Sequence, residues 1–576
     1  MHISKRAWRE RLTSLTWSLA LIAVLSGTAT AEHFSFGPLR LVVDGELDDL
    51  LTAGVERSAL ARLPPALGDA NDFRERRRRA IVQNWRALAD LRLTAPSGDA
   101  RPLAGVEYLA EVAADDHLPS SGLLLQIPAD FDVANPCLLV TAASGSRGVY
   151  GSLPTVGQWG LQQGCAVVTD DKGLGMGVVD RGAGWAIAAD GSVQTLKTTT
   201  PPFEHALEMP HAHRQFDSEA NWGRLLLRSG RIALGLLSRE FPQVPSFTPS
   251  NTLIIAAGIS NGGAAVLQAL EVDAEQFFDG AVAAEPNVQV EGAPTLYEYA
   301  SLHGLLQPCA ILAENLADIP LGMLVTMASA RYGLWCDRLA SDGLITGDDT
   351  PSRARAARNR LLASGIEPAA LRQGAINLQF GLWTSVTATY AQNYLRRDLN
   401  EPACGIGYAA TDAAGRPRAL SAAERALLFS DGTGIAPTAG INLVARDADG
   451  QYLASAAASY ETARCLADLV PETQTAVSRV RVAGKPGQRP VIVLHGQADA
   501  LIPIAHSSRP YYALAASSNP LLRFVELAKA QHFDAFLAIP GMESLQPMQP
   551  ALDAALTSVL AYLRDGKSLP PSTVIE

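Results

Sequence analysis

A glycine-rich turn around one serine constrains the fold of this chain more than any other part of its sequence. Residues 258–263 read Gly-Ile-Ser-Asn-Gly-Gly, between a strand-like run at 252–257 and a helix-like run at 264–271. Glycines on both sides of Ser260 permit a turn that is too tight for a neighbouring Cβ. A buried strand, a sharp turn with one serine and a helix form a nucleophile elbow, so we predict that Ser260 is a catalytic nucleophile.

An acid and a histidine follow this serine along the chain. The strand-like run at 491–494 leads into a His-Gly-x-x-Asp segment that contains Asp499, and His532 lies just beyond the last predicted core strand. The order serine, aspartate, histidine is that of α/β-hydrolases rather than of chymotrypsin or subtilisin. We therefore predict a triad in which His532 removes the proton of Ser260 and Asp499 orients the imidazole.

Other ionisable residues near these positions are assigned different roles. Glu285 follows the strand-like run at 280–284 and is the second choice for the acid. His495 ends a strand and is expected to be structural, and His506 opens a helix and is expected to be non-catalytic. Asp534 is expected to be a local cap or turn residue rather than the acid.

Backbone donors for a developing negative charge are expected on two loops. The N–H of Asn261 lies at the start of the predicted helix, where it faces the reacting oxygen of a substrate. A second loop, residues 144–148 (Ser-Gly-Ser-Arg-Gly), follows a strand-like run at 137–142. We predict an oxyanion hole from Asn261 with Gly145 or Ser146. An ordinary glycine-serine loop is the alternative for residues 144–148.

The succession of strand-like and helix-like runs predicts an α/β-hydrolase fold with a large helix-rich cap insertion. Residues 32–287 are expected to form the first part of the core, with an N-terminal extension. Helix-like runs dominate residues 288–485, and so long a segment between core strands is interpreted as an inserted cap domain. Residues 486–576 are expected to complete the core.

Residues 1–31 have the pattern of an export signal. A basic start is followed by a mostly apolar run at 12–25 and by Ala-Thr-Ala at 29–31. A membrane anchor is the alternative, but the apolar run is shorter than the roughly 20 residues of a spanning helix. We predict cleavage after Ala31 and a secreted or periplasmic protein without stable membrane insertion.

Composition limits the partners of the chain. Of its 576 residues 48% are hydrophobic and 18% are charged, and the net charge is −11. These values describe a globular chain with a sizeable core, and the acidic balance argues against nucleic acid and anionic membranes as partners. A small-molecule substrate is expected, and the oligomeric state is left open.

The chain carries no convincing motif for a cofactor or a metal. The glycine-rich segment at 170–177 lacks the spacing of a dinucleotide-binding loop, so we predict a flexible loop near the mouth of the active site. His205, His211 and His213 lack accompanying carboxylates at metal-binding spacing, and structural or substrate-contact roles are expected for them.

The basic run at 74–79 is expected to be a solvated helix face, with a contact to an anion or a polymer as the alternative.

Six cysteines in an exported chain permit disulfides. Cys137 and Cys165 each begin a strand-like run and are expected to be buried thiols. The other four cysteines are the better disulfide candidates, and their pairing is open.

A set of stretches supports a family assignment: residues 76–91, 169–177, 212–227 and 258–264, the acid loop, and QHFDAF around His532. These stretches resemble the D-(−)-3-hydroxybutyrate oligomer hydrolases, and the similarity covers most of the chain after the export signal. The resemblance implies hydrolysis of ester bonds in (R)-3-hydroxybutyrate dimers and short oligomers during breakdown of polyhydroxybutyrate. It implies that Ser260 is the nucleophile. The triad chemistry requires no metal or organic cofactor.

Other functions are weighed against this one. Another secreted carboxylesterase has the same triad. A serine peptidase of the prolyl-oligopeptidase type also shares it, but the chain shows no propeller repeat. Tannase-like and feruloyl-esterase-like enzymes carry cysteines beside the serine and the histidine, where this chain has Ile259 and Gln531. An inert binding protein would have lost a triad member, and labelling by a fluorophosphonate would distinguish it.

Overall fold

The structure is a computed structural model, and it describes residues 34–60, 72–92, 102–175, 177–430 and 434–576. The export signal predicted from the sequence lies outside the described residues. Among the helices in these ranges, none is long and apolar enough to cross a membrane.

The strands of the described ranges are numbered in chain order. They are β1 (Phe34–Val43), β2 (Gly105–Val112), β3 (Ser121–Pro128), β4 (Cys137–Ala142), β5 (Ala166–Asp170), β6 (Val179–Asp180), β7 (Trp185–Ile187), β8 (Val193–Thr195), β9 (Leu253–Ile259), β10 (Gly280–Ala284), β11 (Gly407–Thr411), β12 (Pro417–Arg418), β13 (Ile441–Val444), β14 (Val491–Gly496), β15 (Leu522–Leu527) and β16 (Thr573–Ile575).

The α-helices are numbered in the same way. They are α1 (Arg57–Leu60), α2 (Phe73–Leu88), α3 (Gln158–Gln162), α4 (Pro210–His213), α5 (Trp222–Glu240), α6 (Asn261–Val272), α7 (Leu296–Ala310), α8 (Gly322–Met327), α9 (Ser329–Ser341), α10 (Thr350–Ala363), α11 (Pro368–Gln379), α12 (Leu382–Tyr394), α13 (Ala422–Leu427), α14 (Tyr460–Asp468), α15 (Val470–Val480), α16 (Ser508–Ala515) and α17 (Gln549–Asp565).

One mixed sheet organises the core, with the strand order β1-β2-β3-β5-β4-β9-β10-β14-β15-β16. The pairs among β1, β2, β3 and β5 are antiparallel, and every pair from β5 to β16 is parallel. Parallel strands need both faces covered, which explains why β4, β9 and β10 are almost wholly apolar and buried. This sheet, with the serine turn between β9 and α6, is the α/β-hydrolase fold predicted from the sequence.

Helices cover both faces of the sheet, and each face has its own apolar cluster. Side chains of α5 and α6 pack on one face, where Trp222 and Leu226 are buried. Side chains of α2 and α17 pack on the other face, where Trp85 and Leu556 are buried. The two layers pack against β9 and β14 from both sides, and the loops at the ends of these strands carry the candidate site.

Residues 288–485 contribute α7 to α15 and the small sheet of β11, β12 and β13. Within the described residues, this segment adds no strand to the main sheet. Its largest apolar cluster includes Trp185 and Leu207, which precede residue 288, so the packing continues across the boundary drawn from the sequence. The division into a core and a cap domain remains a prediction.

The basic run at 74–79 differs from the solvated face that its composition predicts. In α2, Arg76 and Arg77 are buried, and Arg77 pairs with Asp48 at 2.6 Å and with Glu107 at 2.6 Å. The helix lies against the sheet, and two carboxylates under it compensate a buried guanidinium. The prediction is therefore wrong for Arg76 and Arg77, whereas Arg74 is half-exposed.

The cysteine prediction is wrong for one pair. Cys137 and Cys165 form a disulfide with a Cα–Cα distance of 4.6 Å rather than two buried thiols. Cys137 begins β4 and Cys165 immediately precedes β5, and the parallel register of these strands makes the two residues neighbours. The four later cysteines form disulfides, as expected: Cys309–Cys336 and Cys404–Cys465.

Candidate active site

Ser260 lies on a strained turn between β9 and α6. Its backbone φ of 60° and ψ of −125° lie outside the regions that residues other than glycine normally adopt, as a nucleophile elbow requires. A Cβ added at Gly258 would lie 2.5 Å from the carbonyl carbon of Gly262, and one added at Gly262 would lie 2.3 Å from the carbonyl oxygen of Ala142. Both flanking glycines are therefore required by the close approach of strand and helix.

The structure brings the three predicted triad residues together. Nε2 of His532 lies 2.9 Å from Oγ of Ser260, and Nδ1 of His532 lies 2.7 Å from Oδ2 of Asp499. All three side chains are buried. The backbone N–H groups of Leu501 and Ile502 each donate to Oδ1 of Asp499 at 2.8 Å, so the acid loop itself fixes the carboxylate.

The charge of Asp499 is stabilised by its neighbours. Burial opposes ionisation of this carboxyl, but His532 and His495 outweigh burial and lower its pKa to about 2. Nε2 of His495 lies 3.2 Å from Oδ2 of Asp499. His495 is also hydrogen-bonded to Ser508 and to the carbonyl of Ile502, contacts that suit the structural role expected for it.

Glu285, the second choice for the acid, also reaches the imidazole. Its Oε2 lies 3.3 Å from Nδ1 of His532, and its side chain is buried. Within the described residues, Glu285, Asp499 and His532 form the group that could hold a metal ion, with one ligand atom each within 4.8 Å of the others. Both ring nitrogens of His532 already face Ser260 and Asp499, which favours a hydrogen-bonded site over a metal centre.

The predicted oxyanion loops both line the cavity in front of Ser260. Within the described residues, the backbone N–H groups of Gly145, Ser146 and Asn261 donate to no acceptor of the protein. Oγ of Ser146 lies 2.7 Å from Nδ1 of His211, which fixes the loop from behind. These amides are therefore available to a substrate oxygen.

The side chain of Asn261 is part of a buried polar network that the sequence does not reveal. Its Nδ2 donates to the hydroxyl of Tyr390 at 3.3 Å, and its Oδ1 accepts from Nδ2 of Asn287 at 3.0 Å. Asn287 and Gln289 also donate to Glu219. The residue after the nucleophile is thus connected to α12, which lies 129 residues further along the chain.

Residues 170–174 are buried, which contradicts the flexible loop predicted for this part of the segment at 170–177. Asp170, Asp171 and Lys172 are buried. Nζ of Lys172 donates to the carbonyl oxygen of Ala143, directly before the predicted oxyanion loop. Burial lowers the pKa of Lys172 to about 8, although two aspartates oppose this shift. The described part of the segment therefore supports the loop at 144–148 from below.

Two ionisable residues at the edge of the site have structural contacts. Asp534 accepts from the N–H groups of Met548 at 2.8 Å and Gln549 at 2.9 Å, so it holds the start of a distant helix, α17, rather than the local turn predicted for it. His506 is buried and stacks on Tyr299 with ring centroids 5.2 Å apart.

A cavity of about 300 Å³ opens in front of Ser260. Apart from the serine and the oxyanion loops, mostly apolar side chains line it. Phe380, Val386 and Ile435 come from residues 288–485, whereas Phe533 follows His532. A pocket of this size and lining suits a small, largely apolar molecule.

Comparison with protein families gives one match over nearly the whole described chain. A family model described as 3HB-oligomer hydrolase matches residues 34–576. A D-(-)-3-hydroxybutyrate oligomer hydrolase from a Polaromonas species is 34% identical over 98% of this chain and 92% of its own length. A protein of the same description from Burkholderia mallei is 35% identical over 92% of this chain and 87% of its own length.

Solved structures are more distant. Feruloyl esterase B from Aspergillus oryzae superposes with a TM-score of 0.38 and 12% identity, covering 84% of this chain and 86% of that one. Lipase A from Candida antarctica in its closed state superposes with a TM-score of 0.35 and 12% identity, covering 82% of each chain.

Proposed function

This chain belongs to the 3HB-oligomer hydrolase family and is a carboxylic ester hydrolase, and from this premise we propose that it cleaves (R)-3-hydroxybutyrate dimers and short oligomers to monomer. The proposed route is a Ser-His-Asp triad and an acyl-enzyme. The observation that carries the proposal is the pair of hydrogen bonds from one imidazole, to Ser260 at 2.9 Å and to Asp499 at 2.7 Å.

In the first step, Oγ of Ser260 attacks the ester carbonyl carbon while Nε2 of His532 takes the hydroxyl proton. Asp499 accepts the hydrogen bond from Nδ1, keeps the imidazole in the required tautomer and stabilises the imidazolium. Its lowered pKa, about 2, means that the carboxylate carries its charge at any pH at which the histidine can act as a base.

Negative charge then develops on the former carbonyl oxygen. The N–H of Asn261 and one N–H of Gly145 or Ser146 are proposed to hold this oxygen, a contribution worth about 10²–10³ in kcat for one donor. The tetrahedral intermediate collapses as His532 returns the proton to the leaving 3-hydroxyl oxygen, which leaves an acyl group on Ser260. Water activated by the same histidine then releases the second acid.

The shape of the cavity supports a short ester as substrate. Its mostly apolar lining suits the methyl-branched carbon chain of 3-hydroxybutyrate, and the amides of the oxyanion loops supply the polar contacts. Because phenylalanine and valine side chains from residues 288–485 close one side, the length of oligomer that fits is expected to depend on this segment.

We also propose that the protein is exported, with cleavage after Ala31. The basic, apolar and small-residue segments at 1–31 support export, and the three disulfides are typical of an oxidising compartment. Protein recovered from the periplasm or the medium should begin at Glu32, and non-reducing peptide maps should contain the three cross-linked peptides. A chain that keeps residues 1–31 would contradict cleavage.

Hydrolysis of purified (R)-3-hydroxybutyrate dimer and trimer tests the proposed function, with monomer release as the readout. The wild type should release monomer, and Ser260→Ala should lower kcat by about 10⁶. Ser250→Ala is the matched control, because this serine is exposed and lies before β9. A wild type that cleaves a nitrophenyl ester but neither oligomer would leave the triad in place and refute the substrate.

A further inference from the structure

Two acidic residues, rather than one, approach the histidine of the proposed triad. Glu285 directly follows β10, Asp499 follows β14, and His532 follows β15. These strands are consecutive neighbours in the sheet and run parallel, so their carboxyl ends deliver the three side chains to one place. All three side chains are buried, and the two carboxyls share the Nδ1 side of the ring.

The two oxygens of the Glu285 carboxyl group have different surroundings. Oε1 of Glu285 accepts from the N–H of Gly496 at 3.3 Å. Oε2 lies 3.3 Å from Nδ1 of His532 and has no hydrogen-bond partner among the described residues. A buried polar atom without a partner costs free energy, so this placement needs an explanation.

The backbone holds Glu285 in this position at a cost. Its φ is 42°, in the left-handed region that residues other than glycine rarely adopt. Its N–H donates to the carbonyl of Leu494 at 2.8 Å, which extends the pairing of β10 with β14. Strained residues held by their surroundings concentrate at functional sites.

We propose that Glu285 is a positioning residue for His532, a second carboxyl group that shares Nδ1 of the imidazole with Asp499 and can replace it. This inference rests on the proposed triad. Asp499 is the acceptor in the wild type, because its oxygen is closer to Nδ1 and two backbone amides hold its charge. Glu285 flanks the same nitrogen and limits rotation of the ring.

The charges around Glu285 explain this division of roles. Burial raises the pKa of Glu285 well above its usual range, and the charges of Asp499 and Asp534 raise it further. The hydrogen bond from the N–H of Gly496 lowers this pKa, but by less. His532 faces it on the other side. An oxygen of Glu285 and an oxygen of Asp499 lie within 4.8 Å of each other. Two buried carboxylates this close do not both ionise, so Glu285 stays neutral while Asp499 is present.

Removal of the Asp499 charge changes this balance. In Asp499→Asn, Glu285 loses the neighbour that most opposes its ionisation after burial itself. It can then release its proton and accept the hydrogen bond from Nδ1, which restores the tautomer that His532 needs as a base. No further reactant is required, because the proton passes to solvent.

The experiment compares Asp499→Asn, Glu285→Gln and the double variant, with kcat and KM for dimer hydrolysis from pH 6 to about 9.5. Loss of the triad acid typically lowers kcat by about 10⁴. We expect Asp499→Asn to keep at least about tenfold more activity than the double variant, with KM unchanged, because the two acids act as a unit. Glu285→Gln alone should stay within about fivefold of the wild type, since glutamine resembles the neutral acid.

The pH profile separates positioning from a structural role. Activity of Asp499→Asn relative to the double variant should rise with pH, because Glu285 must ionise to act. Glu543→Gln, which removes an exposed carboxyl group before α17, is the control for loss of a negative charge elsewhere in the protein. Thermal unfolding midpoints of all variants show whether each one folds. Equal activity of Asp499→Asn and the double variant at every pH would overturn the proposal. Dimer hydrolysis that survives in Ser260→Ala would instead overturn the proposed triad, on which this inference rests.

Discussion

Oγ of Ser146 lies 2.7 Å from Nδ1 of His211, so a histidine of α4 holds the loop that carries two proposed oxyanion donors. Burial lowers the pKa of His211 to about 3, and the nearby charges of Lys172 and Arg214 act in the same direction. The ring is therefore neutral near pH 7. It also packs edge-on against Tyr390, with ring centroids 4.7 Å apart, which links the loop to α12.

Replacement of His211 should impair turnover more than binding. In His211→Ala, the loop at 144–148 loses its contact from behind, and its amides move relative to Ser260. We expect kcat to fall about 10- to 100-fold with KM within about threefold, because displacement of a donor costs transition-state stabilisation. His205→Ala, a partly exposed histidine of the same segment, is the control. Equal loss in both variants would contradict a specific role for His211.

Glycine 262 should not tolerate even one methyl group. A Cβ there would lie 2.3 Å from the carbonyl oxygen of Ala142, so Gly262→Ala must displace the elbow or β4. We expect a loss of about 1–3 kcal/mol in the free energy of unfolding and weak fluorophosphonate labelling. Gly235→Ala, inside α5 with no atom within 4 Å of the new Cβ, should gain about 0.5–1 kcal/mol. Chemical denaturation and labelling of both variants check this contrast.

Glu219 should make the stability of the protein depend on pH. Burial raises its pKa from 4.5 to about 7, although Tyr394, Gln289 and Asn287 donate to it. Between these values the folded state keeps a proton that the unfolded state releases, so the free energy of unfolding falls as pH rises. The fall from this group is at most about 3 kcal/mol. Glu219→Gln should remove it when unfolding is measured at several pH values, and parallel curves for both proteins would contradict the assignment.

Much of the core and the meeting of the site residues follow from local chemistry. The strands Cys137–Ala142 and Gly280–Ala284 have the bounds that their apolar runs predict, because such runs between turn residues are stable only inside a sheet. Ser260, Asp499 and His532 each follow a parallel strand, and parallel strands place their carboxyl ends at one edge. Chain order and strand ends therefore suffice to predict that these side chains meet.

Contacts between distant segments could not be predicted in this way. Cys137 and Cys165 are bonded because β4 and β5 are neighbours in register, and no local pattern reports that register. The partnership of Asn261 with Tyr390 joins residues that are 129 positions apart. In such cases, a side chain's environment is decided by the packing of the whole fold rather than by its neighbours in the chain.

The basic run at 74–79 tests whether the packing of the fold decides the environment of a side chain, because the arginines of the run cannot be distinguished by their sequence alone. Nε and Nη2 of Arg77 donate to Glu107 at 2.6 and 2.9 Å, and Nη1 donates to Asp48 at 2.6 Å. Arg77→Met should lower the free energy of unfolding by about 3–5 kcal/mol, because it leaves Glu107 buried without a cation. Arg74→Met removes a half-exposed partner of Asp48 and should cost about 1 kcal/mol or less.

Adding Glu107→Gln to Arg77→Met should recover part of the loss, because the uncompensated charge is then removed. Chemical denaturation of the wild type, the two single arginine variants and the double variant at one pH measures these differences. Equal effects of Arg74→Met and Arg77→Met would mean that the run behaves as a solvated face, as its composition alone predicts. A large difference between them would show that burial by the sheet, rather than charge density, decides what each arginine contributes.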